Sequence, residues 1–576
     1  MLEGIVSVLE TSRGFLQPLL PLSFTIIFLI IIVFFALSFD RIKRQFRIKR
    51  SAWILIALIF LLGISLRALT PVYLTTYTDE FAHIDTGKNI ATYGIAGMCQ
   101  EFIDSEGMSC GLFNEPAGFP YVIGMFFLFL GVSEASAYAV NIIIGSLLAV
   151  VLFLFCFLLF RNERAGLYGA FAVSILPLFI LLSRNIEPDA VSAFFILLTF
   201  VSFLLFFRIK NLKAGIFATG ILAFAISIKQ ENIVLIPLVL LLSILFVDIK
   251  YLRDNIRNYR FWFLVLLLII LITPHIFHLS LELYPALFYG EKTATAVGGQ
   301  LIRMENIGMN SQIFNSVIDG SFYPILINLF FIIGLAYALK KHRKSGIFLI
   351  LFFSSFMFVY LAYSASIVEK YLITGLVPLI CFTGLGMYAV EEFLIPRLSK
   401  IGRKSIINLA IPLAIVLVLF IFFVPYFYEI REESKPLNVN HGYPRNEIQY
   451  REKEVISLMD ERIDSCYVLA EEPIFFSATD LKVLKTESVF YDPGPLRSVL
   501  ERGDCIFYFE DLYCTDFYSL GDRCGIENES IEACEQFRQG IVSRCRKMHE
   551  EYELHPYLKY EFDNFKFTVY NISSGL

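Results

Sequence analysis

The chain is 576 residues long, 57% apolar and only 18% charged, with a mean hydropathy of +0.66, a composition that excludes a simple water-soluble fold. Phe (59 residues) and Tyr (29) are abundant against two Trp, which suits lipid-facing and interfacial helices better than a compact enzyme core. The formal net charge of -5 decides little. Its distribution decides more: basic residues cluster in short strips between apolar runs, the pattern of cytoplasmic loops rather than of a nucleic-acid surface.

A helix needs roughly 20 apolar residues to cross a bilayer. Runs of that size are read at 21–38, 52–69, 138–160, 165–183, 190–207, 213–228, 233–248, 261–280, 321–338, 345–366, 371–391 and 406–429. The predicted fold class is therefore a polytopic α-helical membrane protein of about 12 spans, with a range of roughly 11 to 13, over residues 1–430. Alternate loops (41–50, 161–164, 208–213, 250–260, 340–344 and 397–404) hold 23 Lys and Arg. The opposite set, in more sequence, holds seven: Arg13, Lys88, Arg184, Lys229, Lys292, Arg303 and Lys370. The first set is read as cytoplasmic. This parity requires the apolar stretch Phe119 to Leu130 to be interfacial or re-entrant, since it is too short to cross comfortably. The N-terminus then lies outside, and the first helix is not a cleavable signal, because its basic cluster follows it.

After Tyr428 charged residues become common. Strand-like runs, Cys466–Ala470 and Cys505–Phe509, alternate with helix-like stretches such as Arg451–Met459. Residues 431–576 are expected to form a soluble extracytoplasmic α/β domain. It carries Cys466, Cys505, Cys514, Cys524, Cys534 and Cys545, an even set that suggests disulfides without fixing their pairing. No C-x2-C pair is present, so no metal is assigned. Cys99 and Cys110 offer a further bridge, and the sequons at Asn528 and Asn571 agree with an outside placement.

The outer loop 70–137 is the longest in the membrane region, and long ordered loops are more often functional than idle. In it, Phe81, Ile84, Ile90 and Tyr93 recur at helical spacing, which places Asp79 and Glu80 in the first turn of an interfacial helix. Acids there complement the helix dipole. Simple capping explains them; so does a general base that takes a proton from an acceptor hydroxyl. His83 and Lys88 follow on the same stretch. A second acidic segment, Ser183–Asp189, brings Arg184, Glu187 and Asp189 to a hairpin end, either as turn chemistry or facing a cavity. Third, Lys229 and Glu231 interrupt an apolar run and leave roughly 16 residues on each side, so a charged tip sits low in the bilayer unless the Lys snorkels. Fourth, Lys370 and Tyr371 open a span. Outer cations are few, so Arg184, Lys229 and Lys370 are candidate phosphate ligands, with helix-end anchoring as the plainer role.

In this order the features resemble the GT-C superfamily of membrane glycosyltransferases, especially the branch with the protein O-mannosyltransferases and the lipid A aminoarabinose transferase. The resemblance covers most of residues 50–390. It runs through Asp79-Glu80, Ala91–Gly94, the Pro-containing stretch Asn114–Pro120 leading to Phe129–Gly131, Pro177 with Ser183–Asp189, the Lys229 hairpin, and Lys370-Tyr371 with Pro378. It implies a GT-C-like bundle that transfers a hexosyl or pentosyl group from a polyprenyl(dolichyl)-phosphate-linked donor to a lipid, glycan or protein acceptor on the extracytoplasmic side, usually with inversion. Asp79 would be the catalytic base with Glu80 in support, and His83, Lys88, Arg184, Glu187, Asp189, Lys229, Glu231, Lys370 and Tyr371 would bind substrate. No cofactor is required, although a divalent cation is compatible. Two departures stand out. Relatives often carry a basic residue and two consecutive prolines where this chain has Glu115-Pro116-Ala117, and Lys370 replaces a common Arg, giving a point charge in place of a fork. The Trp-Trp-Asp motif of oligosaccharyltransferases and a Walker A loop are both absent. The rival class, a transporter or lipid flippase, would require broken-helix repeats and mid-membrane charges on several spans. A non-catalytic scaffold would make the acid motifs accidental.

Overall fold

A computed structural model describes residues 2–72, 77–98, 103–104, 107–108, 111–112, 115–247, 258–288, 307–311, 325–362, 369–400, 404–433, 445–463, 466–471, 473–479, 481–491, 494–510, 514, 531–562 and 565–573. They fall into two compact units, one of Met1–Tyr73, Asn114–Val122 and Tyr138–Ser434, the other of Leu74–Phe113, Ile123–Ala137 and Lys435–Leu576.

The first unit is helical. Its elements are α1 (Leu2–Gln45) and α2 (Arg50–Leu69), then, after α3 and α4 described below, α5 (Glu134–Phe160), α6 (Glu163–Ile175), α7 (Pro177–Leu181), α8 (Asp189–Ile209), α9 (Leu212–Ile228) and α10 (Leu235–Phe246). It continues with α11 (Tyr259–Phe288), α12 (Ile325–Lys341), α13 (Arg343–Leu361), α14 (Leu372–Leu398) and α15 (Lys404–Glu433). Among the described residues eight helices are long and apolar enough to span a bilayer, and shorter apolar helices cover Gly118–Leu130, Leu212–Ile228 and Gln230–Phe246. Large apolar side chains stay exposed on these helices, among them Leu29, Ile32, Leu58, Leu409 and Leu417. In water such faces would be costly; in lipid they are the solvated surface. The chain is an integral membrane protein.

One departure from the expected spans has a local cause. The run 165–183 is broken: α6 ends at Ile175, Leu176 is extended (ψ 123°) and α7 starts at Pro177. Proline has no N–H and disfavours the helical region for the residue before it. The charged tip after α9 forms as expected: Lys229 is extended (φ −143°, ψ 140°) and a 3-10 turn, Gln230–Val234, leads into α10.

The second unit holds α3 (Tyr77–Tyr93), α4 (Gly118–Leu130) from its sixth residue onward, and the C-terminal region. Here a five-stranded mixed sheet has the order β6-β5-β7-β9-β8. Four two-residue strands precede it: β1 (Gly97–Met98), β2 (Ile103–Asp104), β3 (Gly107–Met108) and β4 (Gly111–Leu112). The sheet is built from β5 (Tyr467–Ala470), β6 (Lys482–Lys485), β7 (Ile506–Glu510), β8 (Glu553–Phe562) and β9 (Phe565–Ser573), with α16 (Arg445–Arg462), α17 (Gly494–Glu501) and α18 (Ile531–Glu551) between or beside them. β5 pairs in parallel with β6 and β7, while β9 is antiparallel to β7 and β8. Its core contains Leu469, Leu484, Leu496, Val499, Ile506, Tyr508 and Met548. Disulfides join Cys466 to Cys505, fastening β5 to the start of β7, and Cys514 to Cys545 on α18. Cys99, Cys110, Cys524 and the sequon at Asn528 lie outside the described residues. Asn571 is exposed on β9.

Candidate functional site

The residues singled out from the sequence divide between the two units. Glu187, Asp189, Lys229, Glu231, Lys370 and Tyr371 line one small pocket of the first unit, about 80 Å³, together with Glu115, Pro116, Pro188, Ile228 and Gln230. Each wall has a local cause. Asp189 begins α8 behind Pro188, Lys229 is displayed where α9 stops, and Lys370 sits in a one-turn 3-10 helix, Glu369–Tyr371, before α14. Asn232 holds the hairpin tip by donating to the Ser192 hydroxyl (2.9 Å) and the Ala225 carbonyl (2.7 Å).

Glu115 arrives by close backbone contact. A Cβ at Gly118 would lie 2.4 Å from the Ser227 carbonyl oxygen, so only glycine permits this approach to the end of α9. Tyr121 secures the same segment through a 3.0 Å hydrogen bond to Thr25 and edge-on packing with Phe24.

The pocket contains four carboxylates and two ammonium groups. Lys229 Nζ lies 2.9 Å from Asp189 Oδ1 and 3.6 Å from Glu231 Oε1, and Lys370 Nζ lies 3.2 Å from Glu187 Oε1. The Lys229 ammonium also stands 4.8 Å from the centre of the Tyr371 ring, a cation–π contact. Asp189 and Glu187 are almost fully buried, where ionised groups persist only if paired. Asp189 Oδ2 has no hydrogen-bond partner, which leaves an acceptor open on a buried, pocket-lining side chain. Burial, then the neighbouring Glu187 carboxylate, pushes the Glu115 carboxyl up to about 7. The arrangement can accept hydrogen bonds from hydroxyl groups at its carboxylates and present two ammonium charges to an anion.

Arg184 is not among the lining residues. Its guanidinium stands over the Tyr138 ring, 5.6 Å from the centre, and its buried Nε makes no hydrogen bond. The sequence reading passed over Glu115 as a departure from relatives, yet it lines the pocket. Its one signal was an acid just before Pro116 at the start of an apolar stretch.

Asp79, Glu80, His83 and Lys88 lie on α3 in the second unit. The acids occupy its first turn as expected; Glu80 and His83 are buried and Asp79 is partly exposed. The predicted apolar face is only partly right. Phe81, Ile84 and Ile90 are buried, but Tyr93 is 54% exposed, because the helix ends there and Gly94 turns the chain away with φ 69°. Polar residues Asp85, Thr86 and Asn89 are buried as well, so α3 is an enclosed helix and not one lying flat with a single apolar face. Asn89 donates to Asp85 (3.1 Å) and to the Gly97 carbonyl (2.9 Å). Lys88 Nζ donates to the Thr479 carbonyl. Phe81 packs on Phe475 (ring centres 5.6 Å apart), and the Lys453 ammonium sits 4.7 Å from the Phe81 ring while pairing with Glu134 at 2.9 Å. The acid-bearing helix is thus braced by the C-terminal region. No group of three or more His, Cys, Asp or Glu is arranged to hold a metal ion among the described residues.

Comparisons with known proteins bear on this geometry. The family model of dolichyl-phosphate-mannose-protein mannosyltransferases (PMT_2) matches residues 114–278, a stretch that contains Glu115, Glu187, Asp189, Lys229 and Glu231. The solved structure of ArnT from Cupriavidus metallidurans bound to undecaprenyl phosphate is similar with a TM-score of 0.57 at 11% identity, covering 92% of this chain and 99% of that one. The chain shares the fold of ArnT. A second neighbour, the archaeal oligosaccharyltransferase AglB from Archaeoglobus fulgidus in complex with an inhibitory peptide and a dolichol-phosphate, has a TM-score of 0.51 at 11% identity and covers 90% of this chain and 74% of that one. No curated protein matches the sequence significantly. This fold extends over most of the chain, while the sequence-level match is confined to residues 114–278, which carry most of the pocket.

Proposed function

We propose that this protein is a GT-C glycosyltransferase that transfers a sugar from a polyprenyl-phosphate-linked donor to an acceptor on the extracytoplasmic side of the membrane. The observation that carries the proposal is the buried pocket of Glu115, Glu187, Asp189, Glu231, Lys229 and Lys370, five of whose six charged residues lie within the stretch matched by the mannosyltransferase family model. The solved neighbours add support, since ArnT was solved bound to undecaprenyl phosphate and AglB in complex with a dolichol-phosphate.

The chemistry follows from the residues. Cleaving a sugar from a lipid phosphate leaves negative charge on the phosphate, which Lys229 and Lys370 are suited to stabilise. Sugar hydroxyls find acceptors at the carboxylates, including the open Oδ2 of Asp189. The attacking acceptor hydroxyl needs a base. Asp79, partly exposed in the first turn of α3, takes that role with Glu80 in support. Lys88 anchors α3 at the Thr479 carbonyl, and His83 and Arg184, neither of which lines the small pocket, are assigned to substrate binding outside it. No cofactor is invoked. The distribution of basic loops supports an orientation in which the Lys229 and Lys370 ends of the helices face away from the cytoplasm.

The test is substitution at the base. Membranes with Asp79→Asn or Glu80→Gln protein at normal abundance should lose transfer from a polyprenyl-phosphate donor, and full activity in both variants would overturn the assignment.

A further inference from the structure

Two polar side chains lie inside the apolar bundle and hold the loop that supplies half of the pocket's carboxylates. Arg67, in the last turn of α2, is completely buried. An intramembrane arginine is expensive, and its presence calls for a specific use. Its partners are neutral: Nε donates to the Ser183 hydroxyl (3.1 Å), and Nη1 donates to the carbonyls of Gly63 (3.2 Å) and Ser174 (3.4 Å). Ser183 spends its own proton on the Phe179 carbonyl (2.6 Å), so its lone pair faces the guanidinium. Space for this contact is cut by glycine: a Cβ at Gly145 would stand 2.4 Å from Ser183 Oγ.

Two residues further along, a second hold begins. Asn141 on α5 is fully buried, and its Nδ2 donates to the carbonyls of Asn185 (2.6 Å) and Glu187 (2.8 Å). The segment from Ser183 to Asp189 is therefore tied at its first, third and fifth residues. Its fifth and seventh residues, Glu187 and Asp189, are the partners of Lys370 and Lys229.

We infer that Arg67 and Asn141 are positioning residues, a buried clamp that presets the Ser183–Asp189 loop so that its two carboxylates meet the lysines of the donor pocket. A free seven-residue loop would sample many conformations, and ordering it on binding would cost backbone entropy at every residue; the clamp fixes the loop before a ligand arrives. The inference rests on the proposed function for what the pocket binds, but the clamp itself is a statement about local order.

The experiment uses the full-length protein in nanodiscs. Hydrogen exchange is followed in peptides covering 183–188 and 193–205, and binding of undecaprenyl phosphate is measured alongside. Asn141→Leu should speed exchange of the loop peptide about tenfold or more, leave the α8 peptide protected, and weaken lipid-phosphate binding about tenfold. Ser183→Ala, which removes a single hydroxyl and is a safeguard if Asn141→Leu folds poorly, should give the same pattern at about threefold. Unchanged loop exchange in both variants would overturn the clamp, as would equal loss of protection in loop and α8, whereas faster loop exchange with unaltered lipid binding would overturn its presetting of the donor pocket. Exchange decides the clamp by itself, so a wild-type protein that binds no polyprenyl phosphate would refute the functional reading separately.

Discussion

Replacing Glu115 by Gln should remove a pH dependence of stability that the wild-type protein carries. Burial and the adjacent Glu187 raise the Glu115 carboxyl from the usual 4.5 to about 7, while Lys370 and Lys229 pull it down only in part. Each pKa unit corresponds to about 1.4 kcal/mol, so ionising Glu115 in the fold costs up to about 3 kcal/mol relative to the unfolded chain. The sign follows from a raised folded-state value. The favourable contribution of the neutral acid is fully present below about pH 4.5 and is lost as pH rises through about 7. Glu115→Gln is isosteric and cannot ionise. In apparent thermal midpoints of detergent-solubilised protein measured from about pH 4 to about pH 8, the wild type should lose stability relative to the variant between about pH 4.5 and about pH 7, with a constant gap above. The two should converge at the acidic end. Parallel curves over the whole range would refute the assignment of the raised carboxyl to Glu115.

Other substitutions probe separate parts of the account. Lys229→Met strips Asp189 and Glu231 of their 2.9 and 3.6 Å partner and should cost about 3–5 kcal/mol, visible as a lower thermal midpoint; a double variant with Asp189→Leu should recover part of the loss, and strict additivity would contradict the pairing. Opening the disulfide of Cys466 and Cys505, which are 39 residues apart, by a double Ser substitution should destabilise the sheet by about 4 kcal/mol on the chain-entropy estimate, read as earlier protease cleavage between β5 and β7. Unchanged cleavage would show that the sheet does not depend on that bond.

Much of the helical architecture was legible because lipid imposes a length and a polarity on each span. The Lys229 tip was legible for the same reason, since an interruption of an apolar run has few explanations. The break between α6 and α7 was also available in Pro177, but the run around it is so apolar that hydropathy masks it. Glu115 was hidden because its place in the pocket depends on Gly118 lying against Ser227, a contact between segments more than 100 residues apart. Arg67 and Asn141 each look like one polar residue in an otherwise apolar span; only the fold shows that both point to the loop at 183–189. On α3 the spacing located the acids but not the enclosure, because Lys88 and Phe81 find their partners near residue 475, from a region whose sheet cannot be placed by periodicity.

The central claim is lipid-linked sugar transfer, and its most direct test is mass spectrometry of polyprenyl-phosphate lipids and surface glycans in cells with and without the protein. The account predicts that cells lacking it accumulate one polyprenyl-phosphate-linked sugar and lose that same sugar from an extracytoplasmic acceptor, both restored by the wild-type chain and not by Asp79→Asn. An unchanged lipid-linked sugar pool together with unchanged glycans would contradict it.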